Sequence, residues 1–131
     1  MISAFYASIL AGLMIWLAFQ VIKQRRSAKV AYADGGVSAL QVARSAHSNA
    51  VDYVPITLIL LMLVEYNGAS PWMIHAVAML FVMGRLIHAK AILAESLKGR
   101  VKGMKLTFLS MVLLMALNMF YLPYDKFWSL T

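Results

Sequence analysis

Uncharged apolar runs alternate with short basic stretches along the chain, and this alternation carries the first expectation. Residues 2–22, ISAFYASILAGLMIWLAFQVI, hold no charge and, at about 1.5 Å per residue, are long enough to cross a hydrocarbon layer of about 30 Å as a helix. Lys23, Arg25 and Arg26 close that run, and a polar connection with a Gly35-Gly36 break leads to a helix-forming segment from near Ser38. The uncharged part of this second segment, Tyr53 to Val64, is too short to cross alone. A second span over residues 45–66 must therefore take Asn49 and Asp52 into the membrane. Pro55 has no N–H for the carbonyl of Val51, which predicts a bend beside Asp52. Asn67-Gly68-Ala69-Ser70-Pro71 reads as a turn whose proline opens the next helix. That third span, residues 71–94, loses its uncharged character at Arg85, so Arg85 and His88 also lie at membrane depth. The stretch Lys98–Lys105 reads as a second basic loop, followed by a fourth span over residues 105–124.

Composition turns four apolar runs into an architecture. With 63% hydrophobic and 13% charged residues in 131, the chain is an all-α integral membrane four-helix bundle in one domain, residues 1–131. Of the net charge of +7, most sits between spans one and two and between three and four. This places both basic connections in the cytoplasm and both termini in the periplasm, and it excludes nucleic acid as the reason for the charge. The chain has no cysteine, so disulfides, cysteine-based zinc sites and a protein thiol nucleophile are excluded, and any thiol must come from outside. Phe5, Tyr6, Trp72, Tyr121, Tyr124, Phe127 and Trp128 fit an aromatic belt on the outer side. Ala4, Ser8 and Gly12, four residues apart, predict a face that lets another helix approach closely.

Candidate chemistry concentrates in the stretch from Arg44 to Pro55, where polar residues run into an apolar helix. Counted from the turn at Asn67, Asp52 lies about 21 Å from the outer surface, and counted from Pro71, Arg85 lies about as deep. An opposite-charge pair is the cheapest way to hold both there. Such a pair serves equally to hold a ligand or to fix helix register. Ser45, Asn49 and Asp52 fall within about 60° of one another on the helix, whereas His47 points to roughly the opposite side. His47 thus either reaches a neighbouring subunit or snorkels to the headgroups. Arg85 and His88 share a face of the third helix.

These residues resemble the MAPEG family, the membrane-associated proteins of eicosanoid and glutathione metabolism, and within it the small bacterial inner-membrane branch. The likeness runs along the whole chain. It includes a helix-two motif of the form Arg-x-His/Gln-x-Asn-x-x-Glu-Tyr-x-Pro, present as His47, Asn49, Asp52, Tyr53 and Pro55, and then Gly84-Arg85-Leu86 with His88. Ser45 stands at the place of the motif's arginine, with Arg44 one position earlier, and Asp52 stands where glutamate is usual. Ile92 occupies the place of a second tyrosine of the eicosanoid enzymes, and Lys98, Arg100 and Lys102 are nearest to their thiolate-stabilising arginine.

The resemblance implies a homotrimer in the bacterial inner membrane, with glutathione as co-substrate between subunits and no metal. The implied activity is a membrane-bound glutathione-dependent transferase or peroxidase acting on lipophilic electrophiles. The alternative is a non-catalytic membrane protein of the same fold that binds glutathione, anionic lipid or a partner helix. The implied glutathione site comprises Arg26, Arg44, Ser45, His47, Asn49, Asp52, Tyr53, Arg85 and His88, with Arg100 or Lys102 favouring the thiolate by proximity of positive charge.

Overall fold

The structure, a computed structural model, describes residues 1–129. It consists of four long helices, α1 (Ile2–Ala28), α2 (Ser38–Tyr66), α3 (Pro71–Leu93) and α4 (Leu97–Phe120), followed by a short α5 (Tyr124–Trp128). All four long helices are long and apolar enough to cross a membrane. The start of α1 and the end of α4 stand at the same end of the bundle, where Ile2, Leu117 and Tyr121 pack against one cluster.

The basic stretches are helical where loops were expected. α1 continues through Lys23, Arg25 and Arg26 and closes on Lys29, which sits in the left-handed region at φ 55° while Val30 N–H reaches back to the Arg25 carbonyl at 3.1 Å. α4 begins at Leu97 and not near residue 105, because Ser96 caps it by accepting from Gly99 N–H at 3.3 Å. Residues 98–105 therefore form the first turns of a helix whose lower part is the fourth span. α2 runs without a break through Pro55.

In a lipid surround, apolar side chains gain little by leaving the solvent, so tight backbone approach and interhelical hydrogen bonds must hold the bundle. α3 is the central helix: half of its most apolar window is buried, against 22–28% for the other three. Its seam with α4 is set by glycines. A Cβ on Gly103 would come within 2.6 Å of His88 Cβ, and one on Gly99 within 2.7 Å of Ala91 Cβ. At the same seam a Cβ on Gly84 would meet Leu106 Cβ at 2.9 Å. On the other side of α3, Leu10, Leu13 and Leu17 of α1 meet Ala46, Ala50 and Val54 of α2 and Phe81 of α3. A second cluster, including Tyr6, Leu61, Val64, Ile74 and Leu114, fills the opposite end.

The expected small-residue face of α1 is not its packed face within the chain. The buried stripe is Ser3, Tyr6, Leu10, Leu13 and Leu17, while Ala4, Ser8 and Gly12 are exposed and nothing lies within 4 Å of a Cβ built on Gly12. The larger side chains fill the space between helices, and the small ones are left outside. Of the aromatic belt, Phe5, Trp72, Tyr124 and Trp128 are exposed. Tyr6 instead turns inward and its hydroxyl meets His75 Nδ1 at 2.8 Å, and Tyr121 donates to Met73 sulfur at 3.5 Å. The side chain of Phe127 lies outside the described residues.

Candidate functional site

A helical step of about 100° per residue brings positions 41, 45, 48, 49 and 52 of α2 to one flank. There they line an open cavity of ≈ 560 Å³. Gln41, Arg44, Ser45, Ser48, Asn49 and Asp52 form one wall, and Ile92 of α3, Arg100 of α4 and Asp34 of the first connection complete it. Asp34 holds that connection in place: its carboxylate accepts from Gly36 N–H at 2.9 Å and lies 3.7 Å from Arg44 Nη1. This is the one ion pair found among the described residues. Both side chains are partly exposed, so it orders the rim and adds little stability.

Behind this wall sits Arg85, wholly buried at 0% exposure. Its Nη2 donates to Asn49 Oδ1 at 2.6 Å and lies 3.3 Å from His88 Nδ1. Its Nη1 donates to Thr107 Oγ1 at 3.3 Å and faces Met104 sulfur at 3.8 Å. The Thr107 hydroxyl donates to the Gly103 carbonyl at 2.9 Å, which leaves its oxygen lone pairs to accept from Arg85. Tyr53 completes the surround, with its ring centroid 5.8 Å from the guanidinium carbon. Both terminal nitrogens of this cation thus meet neutral partners on α2, α3 and α4, while its buried Nε–H has no hydrogen-bond partner.

The expected Asp52–Arg85 pair does not form. Asp52 is exposed and faces the polar cavity, while Asn49, three residues earlier, takes Arg85. Residue counting set the depth of both charges but not their azimuth. A three-residue step leaves Asp52 about 60° round the helix from Asn49, enough to move it from the bundle interior to the open flank.

Beyond Asn49 the polar cavity gives way to a second one of ≈ 520 Å³, whose walls are mostly apolar. Tyr53, Leu97, Val101, Met104 and Phe108 line it, with His88 behind and Asn49, Arg100 and Lys105 at the edge. Tyr53 and Phe108 meet edge to face at 5.7 Å between centroids. Asn49 and Arg100 line both cavities.

The family model for MAPEG matches residues 3–120. The chain belongs to the MAPEG family. It is 38% identical over 130 residues to "Inner membrane protein YecN" of Escherichia coli (strain K12), covering 99% of both chains. The same identity and coverage hold for the protein of that name in Escherichia coli O6:H1. The MAPEG chain described here is accordingly a multi-pass inner membrane protein.

Of the residues expected to form the site of this MAPEG protein, Arg44, Ser45, Asn49, Asp52 and Arg100 line the polar cavity, and Tyr53, His88 and again Arg100 the apolar one. Arg85 lies beneath both. His47 and Arg26 line neither; His47 is two residues from Asn49, about 200° round α2. Lys102 also faces elsewhere, into a groove on the outer flank of α4, because two residues separate it from Arg100 by the same angle. Sequence reasoning missed Thr107, Met104 and Ser48. The signal for Thr107 was present in Gly99, Gly103 and Thr107 at four-residue spacing, a small-residue seam hidden by the lysines between them.

Proposed function

We propose that this MAPEG protein is a membrane-bound glutathione-dependent transferase or peroxidase acting on lipophilic electrophiles, with glutathione held in the polar cavity. The observation that carries this reading is the junction of a charged cavity with an apolar one at Asn49 and Arg100. A zwitterionic peptide thiol and a lipid-soluble partner need such adjoining environments. Arg44 and Arg100 suit carboxylates, and Asp52 suits an ammonium group. Asn49 spends its oxygen on Arg85, so both of its N–H donors remain for a ligand. Arg100, at the junction, is placed to favour a thiolate over a thiol and thereby promote its attack on the electrophile, whose leaving group departs with the bonding electrons. This assigns to Arg100 alone the role first shared with Lys102.

The reading includes a homotrimer. His47 faces away from the cavities of its own chain, and the exposed Ala4, Ser8 and Gly12 leave room for a helix of another copy. Native mass spectrometry in mild detergents is expected to give a trimer, and a dominant monomer or dimer overturns an intersubunit site. Both termini are expected in the periplasm, so a carboxy-terminal alkaline phosphatase fusion should be active.

Titration calorimetry of the purified protein with glutathione tests the site. Asp52→Asn should weaken binding by about tenfold to a hundredfold, the loss of one charged hydrogen bond of about 1.5–3 kcal/mol. Turnover of 1-chloro-2,4-dinitrobenzene tests the chemistry. Binding without turnover supports the non-catalytic alternative, and the absence of binding overturns both glutathione readings.

A further inference from the structure

The outer flank of α4, next to the apolar cavity, carries a groove of ≈ 590 Å³ lined by Leu97, Lys98, Val101, Lys102, Lys105 and Leu106. All six residues belong to the first turns of α4, so no other helix of the chain covers it. Lys98, Lys102 and Lys105 fall within about 60° of one another at helical spacing. Farther along the same flank Leu109, Val112 and Leu113 are exposed. A cluster of cations therefore stands at the head of an apolar stripe running down a membrane-spanning helix. No acidic residue lines the groove.

We propose that this groove is a binding site for an anionic phospholipid. Lys98, Lys102 and Lys105 hold the headgroup phosphate, while Val101, Leu106 and the stripe below them lie against an acyl chain. The three lysine stems reach along the helix with their ammonium groups toward the headgroup layer. Three positive charges with no carboxylate among them favour a lipid with net negative charge over a zwitterionic one, whose own cation they repel. The groove shares Leu97, Val101 and Lys105 with the apolar cavity, whereas Lys98 and Lys102 line neither cavity of the candidate site, so the test is made on those two.

The test uses the full chain reconstituted in nanodiscs of phosphatidylcholine mixed with phosphatidylglycerol, followed by native mass spectrometry of the lipids that stay bound. The wild-type protein is expected to retain phosphatidylglycerol preferentially. A surface lysine contributes roughly fivefold to association with anionic lipid, so Lys98→Gln with Lys102→Gln should lower that retention about 25-fold. Lys98→Arg with Lys102→Arg should preserve most of it. Lys23→Gln with Lys29→Gln removes the same charge from exposed positions at the end of α1 and should leave retention unchanged. Equal losses in the two glutamine variants would mean that a diffuse field, and not the groove, attracts the lipid, and would overturn the proposal. So would equal retention of both lipids by the wild-type chain, a result that does not depend on any variant folding.

Discussion

The two ends of the bundle handle an ionised side chain in the same way but with different consequences. At one end, Glu65 of α2 accepts from the backbone N–H groups of Ile2 and, at 2.8 Å, of Ser3. These are orphan donors at the start of α1, where the helix dipole also favours a negative charge. At the other end, the terminal nitrogens of Arg85 donate to Asn49 and Thr107. Neither group has an oppositely charged side chain as its partner. At Glu65 the result is a closed structural joint between two helices. At Arg85 it leaves Asp52 and Arg100 uncommitted on the open flank, where a zwitterionic ligand would need them. The buried cation thus serves the site indirectly, by fixing the side chain of Asn49.

Substitutions can break this comparison in a defined order. The largest loss is expected for Asn49→Leu, which strands the buried guanidinium without its shortest hydrogen bond and should cost about 2–3 kcal/mol. Reversible unfolding in mixed detergent measures it. Thr107→Val removes a longer contact to the same cation while keeping shape, and should cost about 1 kcal/mol by the same measurement. Glu65→Gln keeps an acceptor but gives up the charge at the start of α1, for about 0.5 kcal/mol and with an effect weakened by salt. Asp52→Asn should change stability by less than about 0.5 kcal/mol, as for an exposed polar position. A loss at Asp52 comparable to that at Asn49 would mean that the carboxylate supports the fold, and the contrast between buried anchor and free ligand group would fail.

Much of this arrangement was legible in the sequence. Span number and approximate placement followed from run length, since the hydrocarbon thickness leaves few alternatives. The shared flank of Ser45, Asn49 and Asp52 followed from helical angle, and the immersion of Arg85 from the shortness of the uncharged run before it. The partner of Arg85 did not follow, because depth along two helices leaves their mutual rotation open. The glycine seam between α3 and α4 adds a second partner that depth could not show, because it brings Thr107 to Arg85. The beginning of α4 was misplaced for a related reason. Lys98, Arg100, Lys102 and Lys105 look like a loop when charge is counted, yet on a helix they point outward while Gly99 and Gly103 carry the contact with α3.

Because three helices share Arg85, the order in which the protein enters the membrane is constrained. An isolated α3 would carry an unpartnered arginine into the membrane, at a cost of up to about 2.5–3.5 kcal/mol on insertion scales. α2 brings Asn49, the shortest-bonded acceptor, and is joined to α3 by only residues 67–70. Insertion of α2 and α3 together as a hairpin presents the guanidinium with its amide partner at once, and α4 then adds Thr107. Biogenesis of this protein should accordingly proceed through a paired α2–α3 intermediate, with α3 alone retained poorly by the translocation machinery.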